Sequence, residues 1–211
     1  MGFFSKLFGK KEVVTQQVSK QEVNEQQNGG KEMLKIGIIL GSTREGRVSP
    51  QVGEWVKGIA ESRGDATYEI IDIAEFKLPL LGEPGGDASG VAAWSQRVAS
   101  CDGFVFIVSE YNHSISGALK NALDFLREEW NNKAAGIVSY GSVGGARAAE
   151  HLRGILGELL VADVRVHPAL SLFTDFENGN VFKPADVQKQ SVNDMLDQLI
   201  AWSGALKTVR K

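Results

Sequence analysis

The chain has 211 residues, of which 43% are hydrophobic and 23% charged, which suits a single globular domain with a short extension. Its formal net charge of −3 is spread along the chain without a basic stripe, so nothing indicates a nucleic-acid partner. The single cysteine excludes an internal disulfide and disfavours a cysteine-rich zinc site. No run of residues approaches the roughly 20 apolar positions that cross a bilayer. We therefore expect a cytoplasmic protein.

Residues 1–33 differ in composition from the rest and predict a flexible extension. Within it, residues 12–30 are rich in Gln, Glu, Lys and Val without an apolar period, which is typical of a linker. Residues 1–11 place four apolar side chains on one helical face and carry three lysines. This pattern is compatible with weak contact to a membrane surface or a partner, and equally with a tail that binds nothing. The apolar residues are Phe3, Phe4, Leu7 and Phe8.

From residue 34 onward, short apolar runs alternate with segments of helical period. The runs cover residues 34–40, 67–73, 103–109, 134–140 and 161–166. Helices are expected from the Ser49-Pro50 pair, over 91–100, from near Gly117, from near Gly145 and over 185–206, with Ser49 as the cap of the first. Strict alternation predicts an α/β fold in residues 34–211, a doubly wound five-stranded parallel sheet with helices on both faces.

Such a sheet binds its ligand beyond the carboxyl ends of its strands, so the loops after the first, third and fourth strands are the candidate site. The first loop joins hydroxyls, glycines and arginines to a helix N-terminus, a combination that suits a phosphate. The alternative is an ordinary polar loop with a good cap. The candidate phosphate-binding residues of the first loop are Ser42, Thr43, Arg44, Glu45, Gly46, Arg47 and Ser49.

The same loop resembles a nucleoside-triphosphate P-loop in its glycine spacing only. Arg47 and Val48 stand where that motif needs Lys and a magnesium-binding hydroxyl. A dinucleotide G-x-G-x-x-G is absent as well. The residues therefore predict a site for a terminal phosphate monoester, held without a metal ion.

The second loop follows a fully apolar strand with Glu110, Tyr111, Asn112 and His113, which can border and stack on a flat polar ring. An acid–base role for His113 is one alternative, since its pKa is easily moved across neutrality; a contact at the ring edge is the one we favour. The third loop offers Ser139 and Gly141 within a glycine-rich stretch, where the backbone approaches a ligand closely or simply turns. We predict no catalytic side chain and no metal ligands.

At these three loops the chain resembles the NADPH-dependent FMN reductases, which include quinone, azo-dye and chromate reductases. The resemblance spans about residues 34–205 and rests on residues 41–49, on 110–113 with 119–124, and on 144–147 with Leu152 and Arg153. It implies a flavodoxin-like fold with strand order 2-1-3-4-5, FMN as cofactor and NADPH or NADH as donor. It also implies a homodimer or homotetramer that reduces quinones or similar small acceptors by a ping-pong hydride mechanism.

The resemblance also implies roles for single residues. Ser42, Arg44 and Ser49 would chiefly hold the FMN phosphate, residues 110–113 would border the isoalloxazine ring, and Ser139 would lie along it. Two positions depart from the family pattern, because Ser109 and Ser116 stand where many members have proline. We expect a less rigid second loop as a result.

Two other functions remain compatible with the sequence. One is a non-enzymatic electron carrier of the flavodoxin type, although residues 34–211 carry only 22 acidic against 18 basic residues. The other is a membrane-tethered interaction module without flavin. The sequence leaves open the physiological acceptor, the choice between NADPH and NADH, the oligomeric state and the role of the extension.

Overall fold

The computed structural model describes residues 33–83 and 87–210. The predicted extension, including the amphipathic residues 1–11, lies outside the described residues except for Met33. The strands are β1 (Lys35–Leu40), β2 (Thr67–Asp72), β3 (Gly103–Ser109), β4 (Lys133–Gly141), β5 (Val161–Asp163), β6 (Ala169–Ser171), β7 (Phe176–Glu177) and β8 (Val181–Phe182). The α-helices are α1 (Ser49–Glu61), α2 (Ser89–Ala99), α3 (Gly117–Asp124), α4 (Ala146–Glu158) and α5 (Asp186–Lys207). A short 3₁₀ helix, Ile73–Phe76, follows β2.

The main sheet is parallel and has the order β2-β1-β3-β4-β5, which confirms the predicted doubly wound topology. Strands β3 and β4 are buried at every position, as continuous apolar runs predict for strands covered on both faces. Because β1, β3 and β4 are neighbours, the loops that follow them meet at one edge.

The helices bury a separate apolar layer on each face of the sheet. Helices α1 and α5 pack on one face, with Val52, Val56 and Leu196 among the buried side chains. Helices α2, α3 and α4 pack on the other, where Trp94 and Trp130 lie edge to face 5.8 Å apart. Burying such rings stabilises the fold by about 2 kcal/mol or more each and fixes the base on which the loops stand.

The fifth strand differs from its prediction, which ran unbroken over 161–166. The strand pairs with the start of β4 only as far as Asp163. Further along the chain, β6 pairs with the end of β4, opposite Ser139–Gly141. Pro168 lies between the two pieces and has no N–H to give to the ladder, so the edge is interrupted there. The interruption brings His167 beneath the loop that follows β4.

Candidate functional site

Hydrogen bonds connect the three loops at the carboxyl edge of the sheet. The Gly41 amide donates to the Ile107 carbonyl at 3.0 Å, and the Ser116 hydroxyl donates to the Gly41 carbonyl at 2.5 Å. The Glu110 amide donates to the Tyr140 carbonyl at 3.1 Å. Residues that follow β1, β3 and β4 therefore form one continuous surface, as predicted for a ligand site at this edge.

The two arginines of the first loop have different surroundings. Arg47 binds both carboxylate oxygens of Asp72 and also donates to the Ser42 carbonyl. Arg44 is exposed and forms no ion pair within residues 33–83 and 87–210. Arg47 therefore shapes the loop, and Arg44 is the cation left for a bound anion.

The N-terminus of α1 differs from its predicted form. Helix α1 begins at Ser49, Val48 occupies the N-cap position, and no side chain caps the helix. Ser49 is buried, and its hydroxyl lies near the Tyr140 side chain, as does that of Ser109. The expected Ser49 cap is wrong, while proline in the first turn is confirmed.

Two buried hydroxyls at this point lack partners in the described part of the chain. Neither Ser49 Oγ nor Ser109 Oγ makes a hydrogen bond, although both are close to the Tyr140 hydroxyl. Burial raises the pKa of Tyr140, and the charge of Arg44 acts in the opposite direction. A buried donor without an acceptor costs about 1–3 kcal/mol, so oxygen atoms of a ligand would stabilise this arrangement. These residues fit the phosphate end of FMN.

The second loop is a two-residue hairpin turn. Tyr111 and Ser114 exchange reciprocal backbone hydrogen bonds of 2.9 Å, and the residues between them, Asn112 and His113, have φ of 45° and 68°. Two successive positive φ values are typical of a type I′ turn, which usually contains glycine. The turn exposes Tyr111 and holds two non-glycine residues in a strained conformation, a feature that often marks binding sites.

Arg147 on α4 holds this turn in place. Its Nε donates to a Glu110 carboxylate oxygen at 2.6 Å, its backbone amide to the other oxygen at 3.2 Å, and Nη1 lies 2.8 Å from His113 Nε2. A guanidinium has no lone pair to share, so His113 Nε2 is the acceptor and the neutral ring carries its proton on Nδ1. His151, on α4 like Arg147, also contacts this turn, because its Nδ1 lies 3.0 Å from the Ser114 hydroxyl.

Glu110 is ionised in this contact. Burial of its carboxyl group opposes ionisation, but hydrogen bonds and charge from Arg147 outweigh that effect and hold the pKa of Glu110 below its usual range. The side chain is 5% exposed. Glu110 therefore supports the loop from below, and the neighbouring Tyr111, Asn112 and His113 form the accessible surface.

The third loop brings backbone rather than side chains to the site. Gly144 and Gly145 have φ of 71° and 73°, and a Cβ at Gly145 would lie 2.8 Å from Ser139 Cβ. Ser139 Oγ donates to the Gly144 carbonyl at 2.5 Å and contacts His167 Nε2 at 2.6 Å. Burial and the charge of Arg153 lower the pKa of His167. Sequence reasoning missed His167, since no local pattern around it indicates a site.

A cavity of about 440 Å³ opens between the first loop, the segment after β2 and the start of α3. Aliphatic side chains and polar groups both line the cavity, and among the polar groups Thr43 contributes a hydroxyl and Lys77 a positive charge. Asn121 holds the cavity wall by accepting from the Leu81 amide and donating to the Pro79 carbonyl. The remaining lining residues are Ile73, Ala74, Leu78, Leu80, Gly117 and Ala118.

The predicted residues thus occupy one edge but differ in accessibility. Four of them are buried, namely Ser42, Ser49, Ser139 and Gly141. Seven are exposed to solvent, namely Thr43, Arg44, Glu45, Gly46, Tyr111, Asn112 and His113.

Among the described residues no group of three His, Cys, Asp or Glu side chains is arranged to hold a metal ion. None of the helices described for 33–83 and 87–210 is both long and apolar enough to cross a membrane.

Solved structures that are similar to this chain show the same fold. FerB of Paracoccus denitrificans, a flavoenzyme NAD(P)H:(acceptor) oxidoreductase, superposes with a TM-score of 0.66 at 18% identity, covering 82% of this chain and 98% of FerB. A short-chain flavodoxin associated with a bacterial microcompartment has a TM-score of 0.55 at 11% identity, covering 81% and 99% of the two chains. The fold is therefore flavodoxin-like, as the resemblance implied.

Sequence relatives are closer. An NAD(P)H-dependent FMN reductase of Schizosaccharomyces pombe is 36% identical over 159 residues, which cover 72% of this chain and 80% of that protein. A 2-hydroxy-1,4-benzoquinone reductase of a Burkholderia species is 30% identical over 182 residues, 80% of this chain and 96% of that protein. A quinone reductase of Escherichia coli is 35% identical over 133 residues, covering 59% and 70%.

The family model for NADPH-dependent FMN reductase matches residues 34–175, which include all three loops at the carboxyl edge. This match confirms the expectation of an oxidoreductase that uses FMN as cofactor, NAD(P)H as donor and a small molecule as acceptor, and it does not favour the carrier alternative. The chain belongs to the NADPH-dependent FMN reductase family.

Proposed function

We propose that this protein reduces quinones or similar small acceptors with NAD(P)H in a ping-pong reaction. The observation that carries the proposal is a set of groups beside the N-terminus of α1 that have no hydrogen-bond or ion-pair partner among residues 33–83 and 87–210, namely the Ser49 and Ser109 hydroxyls and the Arg44 guanidinium. Relatives named quinone reductase and 2-hydroxy-1,4-benzoquinone reductase support the acceptor class.

In this proposal the first loop binds the phosphate of FMN. Arg44 supplies the charge, while Ser42 and Ser49, with the free N–H groups at the start of α1, supply donors. Arg47 acts indirectly, since its contacts with Asp72 and the Ser42 carbonyl hold the loop in shape. Thr43, Glu45 and Gly46 complete the exposed turn.

The second and third loops hold the ring. Glu110 and Arg147 fix the Asn112-His113 turn so that Tyr111, Asn112 and His113 border it, and Ser139 and Gly141 place the third loop along it. His113 accepts a hydrogen bond from Arg147, which leaves Nδ1–H as a donor at the ring edge rather than a base.

FMN, when bound, supplies the electron transfer between donor and acceptor. The chain's own residues bind and orient it, and the proposal assigns none of them as a nucleophile or a metal ligand. We assign the cavity lined by Thr43, Lys77 and Leu80 to the acceptor, because its combination of aliphatic side chains with a single cation suits a planar quinone. In a ping-pong order, oxidised nicotinamide leaves before the acceptor binds.

We extend this proposal to the chain as a whole. Residues 34–211 form the FMN-binding domain, and residues 1–33 form an extension whose first eleven residues make at most weak membrane contact. The protein is cytoplasmic and forms a homodimer or homotetramer. Vesicle flotation and light scattering of the full chain test the membrane contact and the assembly.

The visible absorption spectrum of the purified protein, before and after anaerobic NADPH, tests the central proposal. Flavin bands that bleach on addition of NADPH are expected. Initial rates with benzoquinone at several fixed NADPH concentrations should then give parallel double-reciprocal lines. A protein that remains colourless after incubation with FMN would contradict the proposal, and intersecting lines would contradict the ping-pong order.

A further inference from the structure

The buried Ser139 hydroxyl lies at the centre of a short chain of hydrogen bonds below the third loop. Its oxygen is 2.5 Å from the Gly144 carbonyl oxygen on one side and 2.6 Å from His167 Nε2 on the other. The serine is fully buried, so solvent does not compete for either contact. The Gly144 carbonyl and His167 therefore stay the partners of the Ser139 hydroxyl, and water does not replace them.

The direction of each hydrogen bond follows from the groups involved. The Gly144 carbonyl can only accept, and within residues 33–83 and 87–210 its only donor is Ser139. A serine hydroxyl has one proton, and that proton is used here. His167 Nε2 must therefore donate to Ser139, which places the proton of the neutral ring on Nε2.

These hydrogen bonds determine the orientation of the peptide group between Gly144 and Gly145. The Gly144 carbonyl and the Gly145 N–H belong to the same trans peptide and point in opposite directions. With the carbonyl held inward by Ser139, the Gly145 N–H faces away from Ser139, and it has no acceptor in the described part of the chain. Because both residues are glycines with positive φ, sterics alone would not prevent this peptide from turning over.

We propose that His167 is a positioning residue for the flavin site, which through Ser139 holds the Gly144–Gly145 peptide with its N–H free to donate to the bound ring. This inference rests on the proposed function, in which the third loop lies along FMN. His167 reaches Ser139 because the edge strand is interrupted between Asp163 and Ala169, and β6 then places Ala169 opposite Ser139.

The test compares His167→Leu, which removes the donor, with His167→Gln, whose side-chain amide can still donate. Arg165→Leu, an exposed change two residues away on the same edge, is the matched control. FMN affinity of the full chain is measured by fluorescence titration, and the midpoint potential of bound FMN by anaerobic titration. The potential distinguishes positioning from a purely structural role, because a loss of stability alone would leave it unchanged.

We expect His167→Leu to weaken FMN binding about tenfold and to shift the potential in the negative direction, since an N–H donor stabilises negative charge. His167→Gln and Arg165→Leu should stay near wild type. Ser139→Ala should weaken binding similarly, and the double variant with His167→Leu should be no weaker than either single variant, since both interrupt the same chain.

A second measurement does not depend on flavin. The ¹⁵N chemical shifts of the His167 ring in the FMN-free protein should show the proton on Nε2, and a proton on Nδ1 would overturn the proposal. Unchanged affinity and potential in His167→Leu would overturn it while leaving FMN binding intact. Failure of the wild-type chain to bind FMN would instead overturn the proposed function and this role with it.

Discussion

Arg147 donates to Glu110 through both its side chain and its backbone amide, and so joins the start of α4 to the loop that follows β3. The contact shields a carboxylate that is 5% exposed and sets the position of the strained turn next to it. Through the same guanidinium, His113 is held as a hydrogen-bond acceptor. The second loop thus depends on one cation from the opposite side of the site.

Replacing Arg147 with Lys should weaken FMN binding. A lysine ammonium cannot reach Glu110 and His113 in the planar fork of a guanidinium, so the Asn112-His113 turn should loosen. We expect a loss of affinity of about tenfold, measured by fluorescence titration. Arg127→Lys, at an arginine whose side chain makes no hydrogen bond or ion pair among the described residues, is the control. Equal affinities for the two variants would contradict this role.

Replacing the two arginines of the first loop should affect different properties, namely FMN affinity for Arg44 and stability for Arg47. Arg44→Met should weaken FMN binding by tenfold or more with little change in the unfolding temperature, because Arg44 is exposed and unpaired among residues 33–83 and 87–210. Arg47→Met should lower the free energy of unfolding by about 2 kcal/mol even without FMN, because Asp72 loses its ion-pair partner and keeps only the Ala74 amide as a donor. FMN titration and urea unfolding of both variants check this. A reversed pattern would show that Arg47 binds the phosphate.

Lys133 should make stability depend on alkaline pH. Its ammonium is buried, donates to the Val98 and Ala99 carbonyls, and has its pKa lowered by burial to about 8. Between that value and the ordinary 10.5, the unfolded chain binds a proton that the folded chain does not. The contribution of Lys133 to stability should therefore rise as pH rises through this range.

The measurement is urea unfolding of the wild type and Lys133→Met from about pH 7.5 to about pH 9.5. The difference between them reports on Lys133 together with its charge coupling to the nearby Cys101 thiol, whose pKa burial raises to about 11 and whose own effect on stability has the opposite sign. The wild type should gain stability relative to the variant as pH rises. A difference that is constant with pH would contradict the prediction.

Asp175→Asn should destabilise the segment that follows β6. The carboxylate is 1% exposed and accepts from the Ser171 and Ala185 amides and the Thr174 hydroxyl. An amide replaces one acceptor oxygen with a donor, so we expect a loss of about 2–3 kcal/mol in the free energy of unfolding. Asp124→Asn, which breaks an exposed helical pair with Lys120, should cost less than about 1 kcal/mol. Similar losses in the two variants would disprove the argument.

Sequence patterns correctly predicted most of the scaffold. The apolar runs that became β1, β3 and β4 were recognisable because strands covered on both faces need no polar positions. The amphipathic period of α1 and α5 was equally clear, since it is a property of neighbouring turns. The short fifth strand was overextended because a local pattern does not show where an edge strand leaves its partner.

The candidate site was predicted as three loops but not as a set of contacts. Arg47 and Asp72 are 25 residues apart, and Ser139 and His167 are 28 apart, so no spacing rule connects them. The left-handed Asn112-His113 turn was also missed, because it lacks the glycine that usually indicates a type I′ turn. Its strain is sustained by Arg147, which reaches it only in the folded chain.

The sequence by itself determined the alternation of strands and helices, the order of the loops and the family, because these depend on residues close together along the chain. The tertiary structure alone decided which arginine and which hydroxyls lack partners within the part of the chain that it describes, and which histidine supports the third loop. Those properties depend on groups that long-range packing brings within hydrogen-bond distance. The strength of a hydrogen bond falls when the donor–acceptor distance grows by a fraction of an ångström. Local sequence patterns, in contrast, define the position of an element only to within whole residues.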